Sequence, residues 1–220
     1  MIVTVRFTKT GNGTFVAHTD ILRALNRTFR RARIAVNYST GFNKHMCLNL
    51  TQPLPLGIAS EGEYVTADIL DEMTAEEFLK KFNDCCPPFL RGVKAYVTEK
   101  KPALASVVTA SKFFFRTKEA LAVKDKILAC KKEYVIRYVH GGKEKTVDAA
   151  SLIYDLTVNE EGIEALIASG NVNLRSDALA KSWNADLGMH IELSDIKRIE
   201  QYVADPSGYV SATEYLENLT

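Results

Sequence analysis

The chain has 220 residues, of which 46% are apolar and 25% charged. That balance fits an ordinary globular protein. It excludes collagen-like, low-complexity and disulfide-scaffold classes, and the length suits two domains of about 100 residues. Net charge is only +1, but residues 1–50 carry eight basic side chains against Asp20 alone, so this segment is +7 and the remaining 170 residues carry −6. The asymmetry predicts an anionic partner at the N-terminal end.

In chain order, residues 2–9 (IVTVRFTK) alternate as a strand, and Gly11-Asn12-Gly13 signals a turn. A helix is predicted over about 19–33, with His18 or Thr19 near its N-cap. Ile21, Leu22, Leu25, Phe29 and Ala32 share one sector; Arg23, Arg27, Arg30 and Arg31 share the opposite one. Residues 38–44 read as a loop turning at Gly41, residues 45–52 as a strand ended by Pro53 and Pro55, and residues 64–70 as another strand. Thr74 and Glu77 form a capping box for a short helix stopped before Pro87-Pro88, and residues 93–99 complete the unit as a strand.

Lys100-Lys101-Pro102 marks a boundary between residues 1–101 and 102–220. Beyond it a similar order recurs: a strand at 106–116, a helix at 118–130, a hairpin of 133–139 and 143–148 around His140-Gly141-Gly142, strands at 152–158 and 163–168, a helix capped by Ser176 and running to about Asp186, and a last strand beginning near Met189. Each half therefore reads β-α-β-β-α-β, and the expected fold is α+β with two ferredoxin-like domains in tandem, the second carrying an extra hairpin.

No run approaches the roughly 18 apolar residues of a membrane span, and the first residues lack the apolar core of a signal peptide, so a cytoplasmic protein without membrane association is expected. Cys47, Cys85, Cys86 and Cys130 form no CxxC or CxxxCxxC grouping, which predicts neither a zinc nor an iron–sulfur site and no cofactor. Phosphate-binding and nucleophile-elbow glycine motifs are likewise missing from the sequence.

The stretch from Arg6 to Tyr64 carries short motifs in a fixed order: RFTKTG, FVAHTDI, YSTGFNKH and PLPLGIASEGEY. Arg6, Lys9, Gly11, Phe15, His18, Asp20, Tyr38, Ser39, Gly41, Phe42, Asn43, His45, Pro55, Leu56, Gly57, Ser60, Glu61, Gly62 and Glu63 stand on matching positions of a pattern that resembles the bacterial radical SAM-linked protein family. Met46 and Cys47 depart from it where relatives carry Pro-Lys. The resemblance implies a domain found beside, or fused to, a B12-binding-type radical SAM protein, and so a radical SAM partner. The missing CxxxCxxC means that the chain is not itself the radical SAM enzyme.

Two constellations carry the functional reading. The first is the arginine face of Arg23, Arg27, Arg30 and Arg31; guanidinium forks suit phosphates and stack on bases, although a charged stripe is also how a helix meets water. The second is Lys9, His18, Tyr38, Ser39, Asn43 and His45 in the loops flanking that helix, where two histidines and a lysine would serve phosphate contact or, if they converge, acid–base work. The plain alternatives are a histidine near the helix cap and a self-satisfied loop. Phe113-Phe114-Phe115 reads as a buried strand rather than a stacking platform. The expected function is a non-catalytic accessory module that binds RNA or a phosphorylated substrate for a radical SAM partner. Competing readings are a metal-independent endoribonuclease using His18 or His45 and a structural protein–protein adaptor.

Overall fold

The computed structural model describes residues 1–206 and 208–220, and for His140 the backbone alone. The first half runs β1 (Ile2–Lys9), α1 (His18–Arg31), β2 (Leu48–Leu50), β3 (Ala59–Asp68), α2 (Ala75–Cys85) and β4 (Leu90–Thr98). The second runs α3 (Leu104–Val107), β5 (Val108–Arg116), α4 (Lys124–Ala129), β6 (Val135–His140), β7 (Lys143–Asp148), β8 (Ile153–Val158), β9 (Gly162–Ala168), α5 (Ser176–Leu187), β10 (Ile196–Asp205), β11 (Gly208–Ser211) and α6 (Ala212–Glu217). None of these helices is long and apolar enough to cross a membrane.

The architecture is α+β, built on a mixed nine-stranded sheet in the order β4-β1-β3-β10-β5-β9-β8, with β2 pairing on β3 and β11 on β10. The first half orders its strands β4-β1-β3-β2, all antiparallel. The second orders them β10-β5-β9-β8, again all antiparallel. The halves do not close separate sheets. Ala59 and Ser60 of β3 lie parallel to Lys197 and Arg198 of β10, so one sheet runs through both. Gly62 allows this approach: a Cβ there would stand 2.8 Å from the Glu200 Cα and from the Ile199 carbonyl oxygen.

Hydrophobic period decides which face is covered. In α1, Ile21, Leu25 and Phe29 are buried, and Phe29 meets Phe78 and Phe82 of α2 at 5.8 and 6.0 Å between ring centres. These side chains close over Val3, Val5 and Phe7 of β1. In the second half Phe113 and Phe115 point into a core sealed by Trp183 of α5, whose ring stands 5.1 Å from Phe115. A third cluster, with Tyr64, Tyr96, Leu104, Val203 and Leu216, gathers residues from both halves.

Local chemistry sets most boundaries. The Thr74–Glu77 capping box forms as expected. The N-cap of α1 is instead Ala17, and that of α5 is Arg175, so His18 and Ser176 are the first residues inside their helices. Helix α1 ends with Arg33 in the left-handed region (φ 54°), and the Ile34 N–H donates to the Phe29 carbonyl at 3.1 Å. Strand β3 starts at Ala59 rather than near Tyr64, because its polar beginning pairs with β10. The segment expected to start the last strand is a loop: Gly188, at φ 69°, ends α5, Met189 and Ile191 are buried, and the strand begins at Ile196.

Candidate functional site

The arginine face is built as its periodicity requires. Arg23, Arg27, Arg30 and Arg31 are exposed along α1, opposite its buried stripe. Arg23 pairs with Asp20 at 2.7 Å. Arg27, Arg30 and Arg31, with exposed Arg33 beyond them, make no ion pair among the described residues.

The loop residues divide between two ends of the sheet. Strand β1 spans seven residue steps, about 23 Å at 3.3 Å per residue. At its Ile2 end, the Asn37 side chain donates to Asp68, the cross-strand partner of Ile2, at 2.8 Å. The loop beyond Asn37 is held by the Ser39 N–H to the His45 carbonyl at 2.9 Å and by Ser39 Oγ to His45 Nδ1 at 3.0 Å. Tyr38, Asn43 and His45 are exposed there, and Phe42 is fully exposed. Lys9 and His18 lie at the other end. The structure thus brings Lys9 to His18, and Ser39 to His45, but not the two histidines to each other.

Lys9 and His18 belong to a buried charge cluster at the seam between the halves. Lys9 is 3% exposed, and its ammonium makes no hydrogen bond or ion pair among the described residues. It lines a cavity of about 10 Å³ with His18, Leu54 and Glu63, room for one water. Burial pushes the Lys9 ammonium below its ordinary range; Glu63 opposes this and Arg198 reinforces it. Burial also lowers His18, which favours the neutral imidazole.

Glu63 accepts from Arg198 Nη1 at 2.9 Å, and both side chains are buried. Arg198 also donates to the carbonyls of Gln52 and Pro53 at 2.9 and 3.1 Å, pinning the proline-stiffened strap of residues 52–57 across the seam. On the other face of the sheet, Glu200 accepts from Tyr64 at 2.6 Å and from Thr213 at 3.0 Å, and pairs with Arg6 at 3.2 Å. Two residues apart in a regular strand would share a face; a bulge between Arg198 and Glu200 in the pairing with β5 sends them to opposite faces. Tyr64 is raised, by burial first and by the Glu200 carboxylate second. Sequence reasoning did not assign a role to Arg198 or Glu200, and gave Ser176 only that of a helix cap. The available signal was weak: Arg198 and Glu200 stand beside Lys197 and Gln201 in a strand whose apolar residues, Ile196, Ile199, Tyr202 and Val203, are interrupted by charge.

Fold and site define an α+β protein with one shared sheet, a buried ionic seam and a separate arginine face, three of whose side chains make no ion pair among the described residues. The chain belongs to the family described as "Uncharacterized protein conserved in bacteria (DUF2344)", which matches residues 3–177. That match includes Lys9, His18, the arginine face, Glu63 and Ser176, and stops before Arg198 and Glu200. Among curated proteins, no relative matches the chain.

Proposed function

We propose that the protein is a non-catalytic accessory module that binds single-stranded RNA through the arginine face of α1, with Tyr38 and Phe42 at the far end of that helix as stacking platforms. The observation that carries this reading is that Arg27, Arg30 and Arg31 are exposed and lack carboxylate partners among the described residues, on a helix whose opposite face is packed. A solvated face would normally intersperse acids; here a nearly acid-free stripe is followed in the chain by a loop with exposed Tyr38 and Phe42, and cationic and aromatic groups together suit a nucleic-acid backbone and its bases. The separation of His18 from His45 counts against the endoribonuclease reading, since these two histidines do not face one substrate. The strand order within each half supports reading the chain as two ferredoxin-like units sharing one sheet. The sequence resemblance adds a B12-binding-type radical SAM protein as the partner to which the module presents its RNA.

The test is fluorescence anisotropy with short RNAs across a salt series. Four phosphates met by Arg27, Arg30, Arg31 and Arg33 give a slope of about −2.8 in log affinity against log salt, so binding weakens roughly 50-fold between 50 and 200 mM. The Arg27→Glu/Arg31→Glu double variant should flatten that slope by about 1.4. Folded protein with no saturable binding at 50 mM salt would remove RNA and leave the adaptor. RNA cleavage lost in His18→Ala would restore the nuclease.

A further inference from the structure

A larger cavity lies away from α1, on the other side of the proline strap. A cavity of about 390 Å³ opens between residues 52–55, the turn after β9 and the start of α5. Its size falls in the range of small-molecule sites. Leu54 lines both this cavity and the small one beside Lys9, so the strap separates the two.

The lining is one-sided in charge: it contains Arg175 and Arg198 and no carboxylate. Arg175 is tied to Asp177 through two hydrogen bonds at 3.0 and 2.8 Å, which leaves that carboxylate matched. Two polar atoms of the lining residues are buried without a hydrogen-bond partner: Ser176 Oγ and Arg198 Nε, on side chains that are each 2% exposed. An orphaned buried hydroxyl or guanidinium N–H costs free energy unless something fills the hole. Ser176 is also the first residue of a twelve-residue helix whose N-cap supplies no side-chain bond, so the positive end of α5 is uncapped at the cavity. Donors without acceptors, at the positive end of a helix, call for an anion. A metal ion would need oxygen or nitrogen acceptors, and the lining arginines would repel it.

We infer that this cavity is a binding site for a small phosphate monoester, with the phosphoryl group at the start of α5 beside Ser176 and Arg198 and the body of the molecule along Pro53, Leu54 and Pro55. The apolar strap suits a ligand with a flat or hydrocarbon body rather than free phosphate alone. Residues of both halves form the cavity, so its occupancy reports on the seam. The site is independent of the RNA reading, because none of its lining residues belongs to α1.

The experiment is isothermal titration calorimetry of the full chain with inorganic phosphate, with nucleoside monophosphates and with the corresponding unphosphorylated nucleosides, at constant ionic strength. Saturable binding of at least one monophosphate, tighter than inorganic phosphate and displaced by it, is expected, with no binding of the nucleosides. Ser176→Ala should weaken it at least tenfold. Asn173→Asp, an exposed change at the cavity mouth, should do so too without affecting folding. Arg27→Glu/Arg31→Glu should leave it unchanged while weakening RNA, so the two sites fail separately. The inference is overturned if no monophosphate binds below 10 mM, if binding survives both cavity variants, or if only 5′-phosphorylated RNA binds there.

Discussion

The arginines of α1 and Arg198 of β10 are the same side chain put to opposite uses. On α1, Arg27, Arg30 and Arg31 stand in water without carboxylate partners among the described residues. At the seam, Arg198 is 2% exposed and satisfies Glu63 and two carbonyls of the strap. Exposure without pairing is compatible with a partner outside the chain. Burial with both Nη groups paired inside the chain ties two halves together, even though the Arg198 Nε is left without a partner. Charge type alone does not distinguish them; position relative to the sheet does.

The sharpest way to break this comparison is Arg198→Met. It leaves Glu63 buried without its counter-charge and frees the strap carbonyls, so unfolding free energy should fall by about 3–5 kcal/mol in urea titrations. Adding Glu63→Gln to it should recover a large part of the loss. Gly62→Ala comes next: the added methyl meets the β10 backbone, and about 1–3 kcal/mol should be lost by the same measurement.

Lys9→Met should act in the other direction. Removing a buried ammonium that has no ion pair among the described residues should stabilise the chain by about 1–2 kcal/mol, visible as a rise of a few degrees in thermal unfolding.

Histidine 18 gives a pH test. Burial lowers its folded pKa below the unfolded value near 6.5, so the unfolded chain binds more protons between the two. The stability contributed by neutral His18 is therefore present above the unfolded pKa and is lost as pH falls below it. His18→Gln should remove that part of the slope between pH 7 and 5. The smallest effect belongs to the α1 surface: Arg27→Ala and Arg31→Ala should each move stability by no more than about 0.5 kcal/mol. A large loss there would mean that the arginines are structural after all.

Much of the architecture was legible where pattern and boundary chemistry agree. Strand β1 alternates cleanly, α1 separates Ile21, Leu25 and Phe29 from its arginines, and the Thr74–Glu77 box fixes α2. Legibility failed where long-range pairing overrides local pattern. The polar start of β3 has no reason to be a strand until β10 lies beside it, and the chain from Met189 looked like a strand because its apolar residues are buried in a loop. The arginine face could be read from period alone. The cavity by α5 could not, because Gln52, Ser176 and Arg198 are more than 120 residues apart at the extreme and meet only through the shared sheet. The sequence left open whether His45 converges with Lys9 and His18; the structure joins Lys9 to His18 but not to His45, because the loops before and after a helix lie at its opposite ends.

The position of β10 also bears on biosynthesis. The edge of β3 at Ala59 and Ser60 is completed by Lys197 and Arg198, which are synthesised well over a hundred residues later. At about 5–20 residues per second, the ribosome spends roughly 7–30 s between those two stretches. During that interval the start of β3 offers unpaired backbone groups, and Glu63 lacks its guanidinium. The nascent first half is therefore a candidate for chaperone protection, and a release of the chain before β10 emerges leaves a sheet edge open to other strands.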